Sequence, residues 1–289
     1  MSEIEHEAGQ ARWYSRLRRA PAAQIGGLLL LLLIAASFLA PIIAPYPPDQ
    51  INLARKLEGL GAAGHVLGTD NLGRDMLSRV LYGGRTSLIA ALIAVMVGAA
   101  IGILPGLLAG FLGGHWDRWL SLVADALQTI PPLILAMLVI AMTGAGLANA
   151  MVAVGVLFAP RYFRVIRACT LSVRSEAFVD AARTMGMTGW AIMRRHVIRH
   201  MISPIIVVST FLAGLAMLYE AGLSFLGLGV QLPTASWGSM LATAFAYVSV
   251  QPFQGIVPGL AIATAIFACN LLGDGLSKVL EPRGQRAVG

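Results

Sequence analysis

Charge is scarce in this chain. Of its 289 residues, 12% are Asp, Glu, Lys or Arg, about half the roughly 25% usual in a soluble globular domain. Cysteine is nearly absent: Cys169 and Cys269 lie a hundred residues apart, in or beside apolar blocks, which excludes a disulfide framework and a cysteine-based metal site. The sequence has no HExxH or GxSxG run and no His/Cys cluster at metal spacing, so it offers no metal site and no assembled hydrolase site. Its only lysines, Lys56 and Lys278, precede Leu57 and Val279, whereas a P-loop needs lysine after a glycine-rich turn and before Ser or Thr. Nucleotide energy, if used, is released by another subunit. The 32 glycines and 14 prolines follow no triplet period, which excludes collagen.

Apolar residues are abundant, at 57%, with a mean hydropathy of +0.75. Stretches long enough to cross roughly 30 Å of hydrocarbon, about 20 residues each, occur at 22–44, 86–112, 117–143, 147–167, 200–228 and 252–277. The expected fold class is all-α: a polytopic membrane protein with six transmembrane helices, a tail at 1–21, a six-span membrane domain at 22–280 and a second tail at 281–289. The first stretch follows Arg12, Arg16, Arg18 and Arg19 as a secretory signal does. Its apolar run, Ile25 to Ala40, exceeds a usual signal core of about 7–15 residues, so it reads as an uncleaved anchor.

Net charge is +7. In a soluble chain that points to nucleic acid; here the basic residues orient the bundle, and no nucleic-acid partner is expected. One side holds sixteen of them: four in the N-terminal tail, Arg118, eight from Arg161 to Arg199, Lys278, Arg283 and Arg286. The other holds Arg55, Lys56, Arg74, Arg79 and Arg85. By the positive-inside rule both termini are cytoplasmic.

Ala90, Ala94, Gly98, Gly102, Gly106, Gly110 and Gly114 recur every four residues along the second span. In lipid such a ridge lets another backbone approach closely, either within this chain or on another subunit, and Pro105 is expected to bend the helix. In the outward loop 46–85, Leu72, Met76, Leu77, Val80 and Leu81 fall at helical spacing. Asp75 to Arg79 reads as an i,i+4 pair, and Thr69 or Asp70 as a helix cap. The segment is either a short amphipathic helix on the outer face or an ordinary connector.

The cytoplasmic loop 168–199 is the most informative segment. Ser175 can cap a helix carrying Ala177, Phe178, Ala181, Ala182 and Met185 on one face, and Gly186 can end it. Thr188 then opens a second run through Trp190, Met193, Val197 and Met201, with Arg194, Arg195 and Arg199 alongside. Such a helix suits docking into a partner's groove or resting on anionic lipid. His196 and His200 share a face among these arginines and read as basic surface. Three acids fall inside spans, Asp125, Glu220 and Asp274, and intramembrane charge is costly enough to make each a functional candidate. Asp125 and Glu220 are either bundle pairs or path-lining groups; Asp274, near the cytoplasmic end, is expected to cap or pair there.

These motifs, over about 40–286, resemble a permease subunit of a binding-protein-dependent ABC importer of the oligopeptide/dipeptide and nickel type, specifically its C-type permease. Asp180-Ala181-Ala182, Gly186 and His196-Val197-Ile198-Arg199 occupy the positions of that family's EAA loop motif, with Asp180 for its glutamate and Arg199 for its proline. GTDNLGRDMLSR (68–79), Asp125 with Pro131–Pro132, LSFLGLGVQLPTASWGSML (223–241), and PGLAIATAIFACNLLGDGL (258–276) with Glu281-Pro282-Arg283 are similar to four further family segments. The resemblance implies a type I ABC importer permease fold in the bacterial plasma membrane and a peptide substrate. It also implies a second homologous permease, two ATPase subunits holding ATP and Mg2+, an extracytoplasmic binding protein, and no cofactor in this chain. Ala177, Phe178, Asp180, Ala181, Ala182 and Gly186 would couple to the ATPases. The competing class is a stand-alone secondary transporter or channel using the intramembrane carboxylates; it requires inverted repeats, and no matching interrupted segments are visible.

Overall fold

The computed structural model describes residues 20–280, where no β-strand forms and helix dominates. Arg12, Arg16, Arg18, Arg19 and His6, with Glu281-Pro282-Arg283 and Arg286, lie outside the described residues. The helices are α1 (Pro21–Phe38), α2 (Ala40–Ile43), α3 (Met76–Leu112), α4 (Gly114–Thr129), α5 (Pro132–Thr143), α6 (Leu147–Arg174), α7 (Ala177–Thr184), α8 (Gly189–Ile192), α9 (Ile198–Phe225), α10 (Trp237–Phe245) and α11 (Phe253–Leu280). A five-residue π-turn at Met193–Val197 joins α8 to α9.

Five of the expected spans are single helices, counting α8–α9 as one run from Gly189 to Phe225. The third is broken: α4 and α5 meet at 94°. Proline drives the residue before it out of the helical region, and two prolines in a row do this twice. Ile130 lies at φ −82°, ψ 128° and Pro131 at φ −53°, ψ 130°, so the chain extends for two residues before α5 begins.

The glycine ridge is spent inside the chain. A Cβ built on Gly98 would lie 2.7 Å from Phe158 Cβ, one on Gly106 2.7 Å from the Phe163 carbonyl, and one on Gly110 2.6 Å from Thr170 Cβ. All of these neighbours belong to α6, which answers with Gly155 against Val97. Helix α6 is thus the central post of the bundle, and it buries Met151, Val154, Phe158, Tyr162 and Ile166. Helix α3 continues through Pro105. Helix α1 rests on α11 in the same manner: a Cβ on Gly26 would come within 2.7 Å of the Ala268 carbonyl. Leucine and isoleucine side chains at positions 25, 28, 31, 92 and 260 point outward, as suits contact with lipid.

The loop ahead of α3 departs from expectation. No separate amphipathic helix forms; residues 76–85 are the first turns of α3, and Leu72 lies outside it. Neither Thr69 nor Asp70 caps the helix. Asp75 does, its carboxylate accepting from the Ser78 amide at 2.8 Å and the Ser78 hydroxyl at 2.7 Å. Its side chain is therefore not paired with Arg79, and its other oxygen meets His65 at 2.8 Å. Arg79 turns back to Asp49 at 3.2 Å and Asp70 at 3.5 Å, while Arg74 reaches Asp70 at 2.6 Å. Asp70, Arg74, Asp75 and Arg79 are all buried, so the loop folds on an ion-pair network and not on an apolar face. Gln254 fastens it to α11 by donating to the Thr69 carbonyl at 2.7 Å.

Candidate functional site

At the opposite end, α7 stands between two turns. Ser175 does not cap it: Ser175 closes α6, its hydroxyl donating to the Ser172 carbonyl at 2.8 Å, and Glu176 takes the cap position. Gly186, at φ +78°, ends the helix as a left-handed residue should, and Thr188 caps α8. The face expected to be single divides. Val179 and Ala182 are buried against Leu107, Phe111, Ile166, Ile192 and Val197, whereas Ala177, Phe178, Ala181, Met185 and Asp180 are exposed. Ala182 is thus a bolt to the bundle and not a contact surface, because the helix needs an inward apolar edge to stay seated. Phe178 stacks on His200 with ring centroids 5.6 Å apart and lies 5.9 Å from His196. Those histidines thus pack against α7. Arg199, standing where the family motif has proline, leaves helical hydrogen bonding uninterrupted, and the chain runs through the π-turn into α9 without a break.

Glu220 is fully buried. Ser224 and Ser236 donate to its Oε1 at 2.8 Å each and Ser87 to Oε2 at 3.2 Å. Trp237 then donates its amide to Ser87 at 3.1 Å and its indole N–H to the Val80 carbonyl at 2.9 Å. One carboxyl group therefore knots α3, α9 and the start of α10, with hydroxyls as its partners. Ser224, one helical turn from Glu220, was the legible partner; Ser236 and above all Ser87, 133 residues away, were not.

Asp125 meets Arg164 at 2.7 Å, and Asp117 pairs with Arg167 through both carboxylate oxygens. These arginines were assigned to the end of the fourth span and its cytoplasmic loop, yet α6 runs to Arg174 and carries Arg161, Arg164 and Arg167 along one face within the span. Their i, i+3, i+6 spacing was the legible signal. Asp274 is exposed near the end of α11 and forms no ion pair among the described residues. No group of three His, Cys, Asp or Glu side chains able to hold a metal occurs there either.

A bundle of long apolar helices with a short, partly exposed helix between two of its spans has the form of a membrane protein, and the comparisons with known proteins say of which class. Residues 98–286 match the family model described as "Binding-protein-dependent transport system inner membrane component", and residues 10–59 match "N-terminal TM domain of oligopeptide transport permease C". The chain belongs to this family: it is a permease subunit of an ABC importer and a multi-pass protein of the bacterial inner membrane. Among its relatives, the glutathione transport system permease protein GsiD of Shigella flexneri serotype 5b is 40% identical over 271 residues, covering 94% of this chain and 89% of the relative. That of Pectobacterium atrosepticum is 39% identical over 272 residues, covering 94% and 90%. Two inward-facing structures of the MetNI methionine ABC transporter share the fold, with TM-scores of 0.58 and 0.60 at 17% and 18% identity, over 72% of this chain and 98% of theirs.

Proposed function

We propose that this chain forms half of the translocation path of an ATP-driven peptide importer. It pairs with a second homologous permease, is driven by two ATPase subunits binding ATP and Mg2+, and receives substrate from an extracytoplasmic binding protein. Both termini then face the cytoplasm, a reading supported by the positive-inside rule. The peptide class follows from the oligopeptide-type N-terminal domain match and from relatives that are named for glutathione, itself a peptide.

The observation that carries the reading is the division of α7. Val179 and Ala182 seat it on the bundle, and Ala177, Phe178, Ala181 and Met185 are left facing outward. Those four apolar side chains fit an ATPase groove. Because α7 is tied through Ile192 and Val197 to the helical run that becomes α9, a push on it moves that span as a rigid body. Reconstitution tests the reading: liposomes holding this chain with its partner permease, ATPases and binding protein take up peptide only with ATP. Uptake by this chain alone, driven by an ion gradient, would refute it.

A further inference from the structure

Antiparallel to α6, helix α4 presents Asp117, Asp125 and Gln128 in the order that meets Arg167, Arg164 and Arg161. The first two positions are ion pairs, Asp117 with Arg167 and Asp125 with Arg164. The third is incomplete: Gln128 and Arg161 line the same cavity, but Gln128 brings no negative charge, and Arg161 has no ion pair among the described residues. Arg161 stands at the midpoint of the 28-residue α6, about 21 Å along the helix from Leu147 at 1.5 Å per residue. An unpaired guanidinium at that depth is costly unless it faces water or an anion.

The cavity around it measures about 140 Å³ and is lined also by Tyr219, Leu127, Pro132 and Leu157. A single water needs about 10–15 Å³ by the same measure, so a carboxylate and several waters fit. It lies beside the 94° break between α4 and α5, whose Ile130 and Pro132 line it. Pro160, beside Arg161, has no N–H to give the Val156 carbonyl, and the Tyr219 side chain lines the cavity with Arg161.

We infer that Arg161, with Gln128 and Tyr219, is a contact on the translocation path for a carboxylate of the transported peptide. Asp117 and Asp125 hold the neighbouring arginines, and Arg161 is the rung left open for an anion from outside the chain. Guanidinium suits this task because its planar fork grips a carboxylate through two parallel hydrogen bonds. The inference rests on the proposed peptide-import function and names the substrate group recognised.

Two measurements on the complete transporter test it. With Cys169 and Cys269 replaced by serine, Arg161→Cys should be modified by the anionic thiol reagent methanethiosulfonate-ethylsulfonate, while Val152→Cys, exposed nine residues earlier on α6 and so on its opposite face, should not. An unmodified Arg161→Cys overturns the inference. In proteoliposomes, the ratio of trialanine uptake to trialanine-amide uptake should fall at least tenfold in Arg161→Gln and recover at least a third of its value in Arg161→Lys. A parallel fall for both probes assigns Arg161 to an ion pair within the assembly and overturns the inference, as does an unchanged ratio. A wild-type transporter that moves neither probe overturns the peptide reading itself.

Discussion

The Ser236 hydroxyl donates to Glu220 Oε1 at 2.8 Å and so ties the loop that leaves α9 back onto α9 itself. With Ser87 and Ser224 it surrounds a carboxyl group that has no exposed surface. This arrangement favours a bundle role for Glu220 over a path-lining one, because substrate has no way to reach it without dismantling the knot.

Glu220→Ala therefore leaves three buried hydroxyls without their acceptor, at about 1–3 kcal/mol for each group left unsatisfied. The detergent-solubilised transporter should melt at a distinctly lower temperature, while uptake per folded molecule stays near wild type. Altered peptide preference at unchanged melting temperature would move Glu220 onto the path.

Gly102→Ala should destabilise the bundle by about 1–3 kcal/mol through overpacking, because its Cβ would run into Tyr162 Cβ at 2.7 Å. Gly222→Ala, in α9, meets nothing within 4 Å and should be neutral or stabilising by up to about 1 kcal/mol, as the helix propensities of glycine and alanine imply. Paired melting curves in one detergent check the contrast.

The two faces of α7 should fail differently. Ala182→Glu buries a charge among Leu107, Ile166 and Val197, so the chain itself should lose thermal stability even without partners. Ala181→Glu places the same charge on the exposed face; the permease should melt as wild type, but the ATPase subunits should no longer co-purify and uptake should stop. Size-exclusion chromatography of both variants separates these outcomes, and normal co-purification of Ala181→Glu would count against the coupling surface.

Asp70→Asn should cost about 3–5 kcal/mol, since it weakens the contacts of two buried arginines, Arg74 and Arg79, at once. Asp180→Asn, whose pair with Arg183 is largely exposed, should shift melting by less than about 1 kcal/mol. Equal losses in the two variants would mean that the loop before α3 is not held by its ion pairs.

Much of this was legible along the chain because the bilayer imposes a length and a polarity on each crossing segment. Five spans came through as continuous helices, and the double proline at 131–132 was visible, though its consequence, a 94° bend in place of a straight span, depends on where α5 then finds a surface. The loop around α7 was readable in its stops, Gly186 and Thr188, but not in its faces. Eight residues of helix give an apolar pattern too short to say which edge meets the bundle, and Ala182 and Ala181 differ only by where α3 and α6 stand.

By itself the sequence determined that the chain is a bundle of membrane helices and where its loops fall, because hydropathy and local motifs act through chain neighbours. Only the tertiary structure decided that the glycine ridge of α3 is consumed by α6, that Ser87 and Ser236 join the nearby Ser224 around Glu220, and that Arg161 shares a cavity with Gln128 while Arg164 and Arg167 meet carboxylates. These contacts reach beyond a single helical turn, and they exist only once the helices have packed.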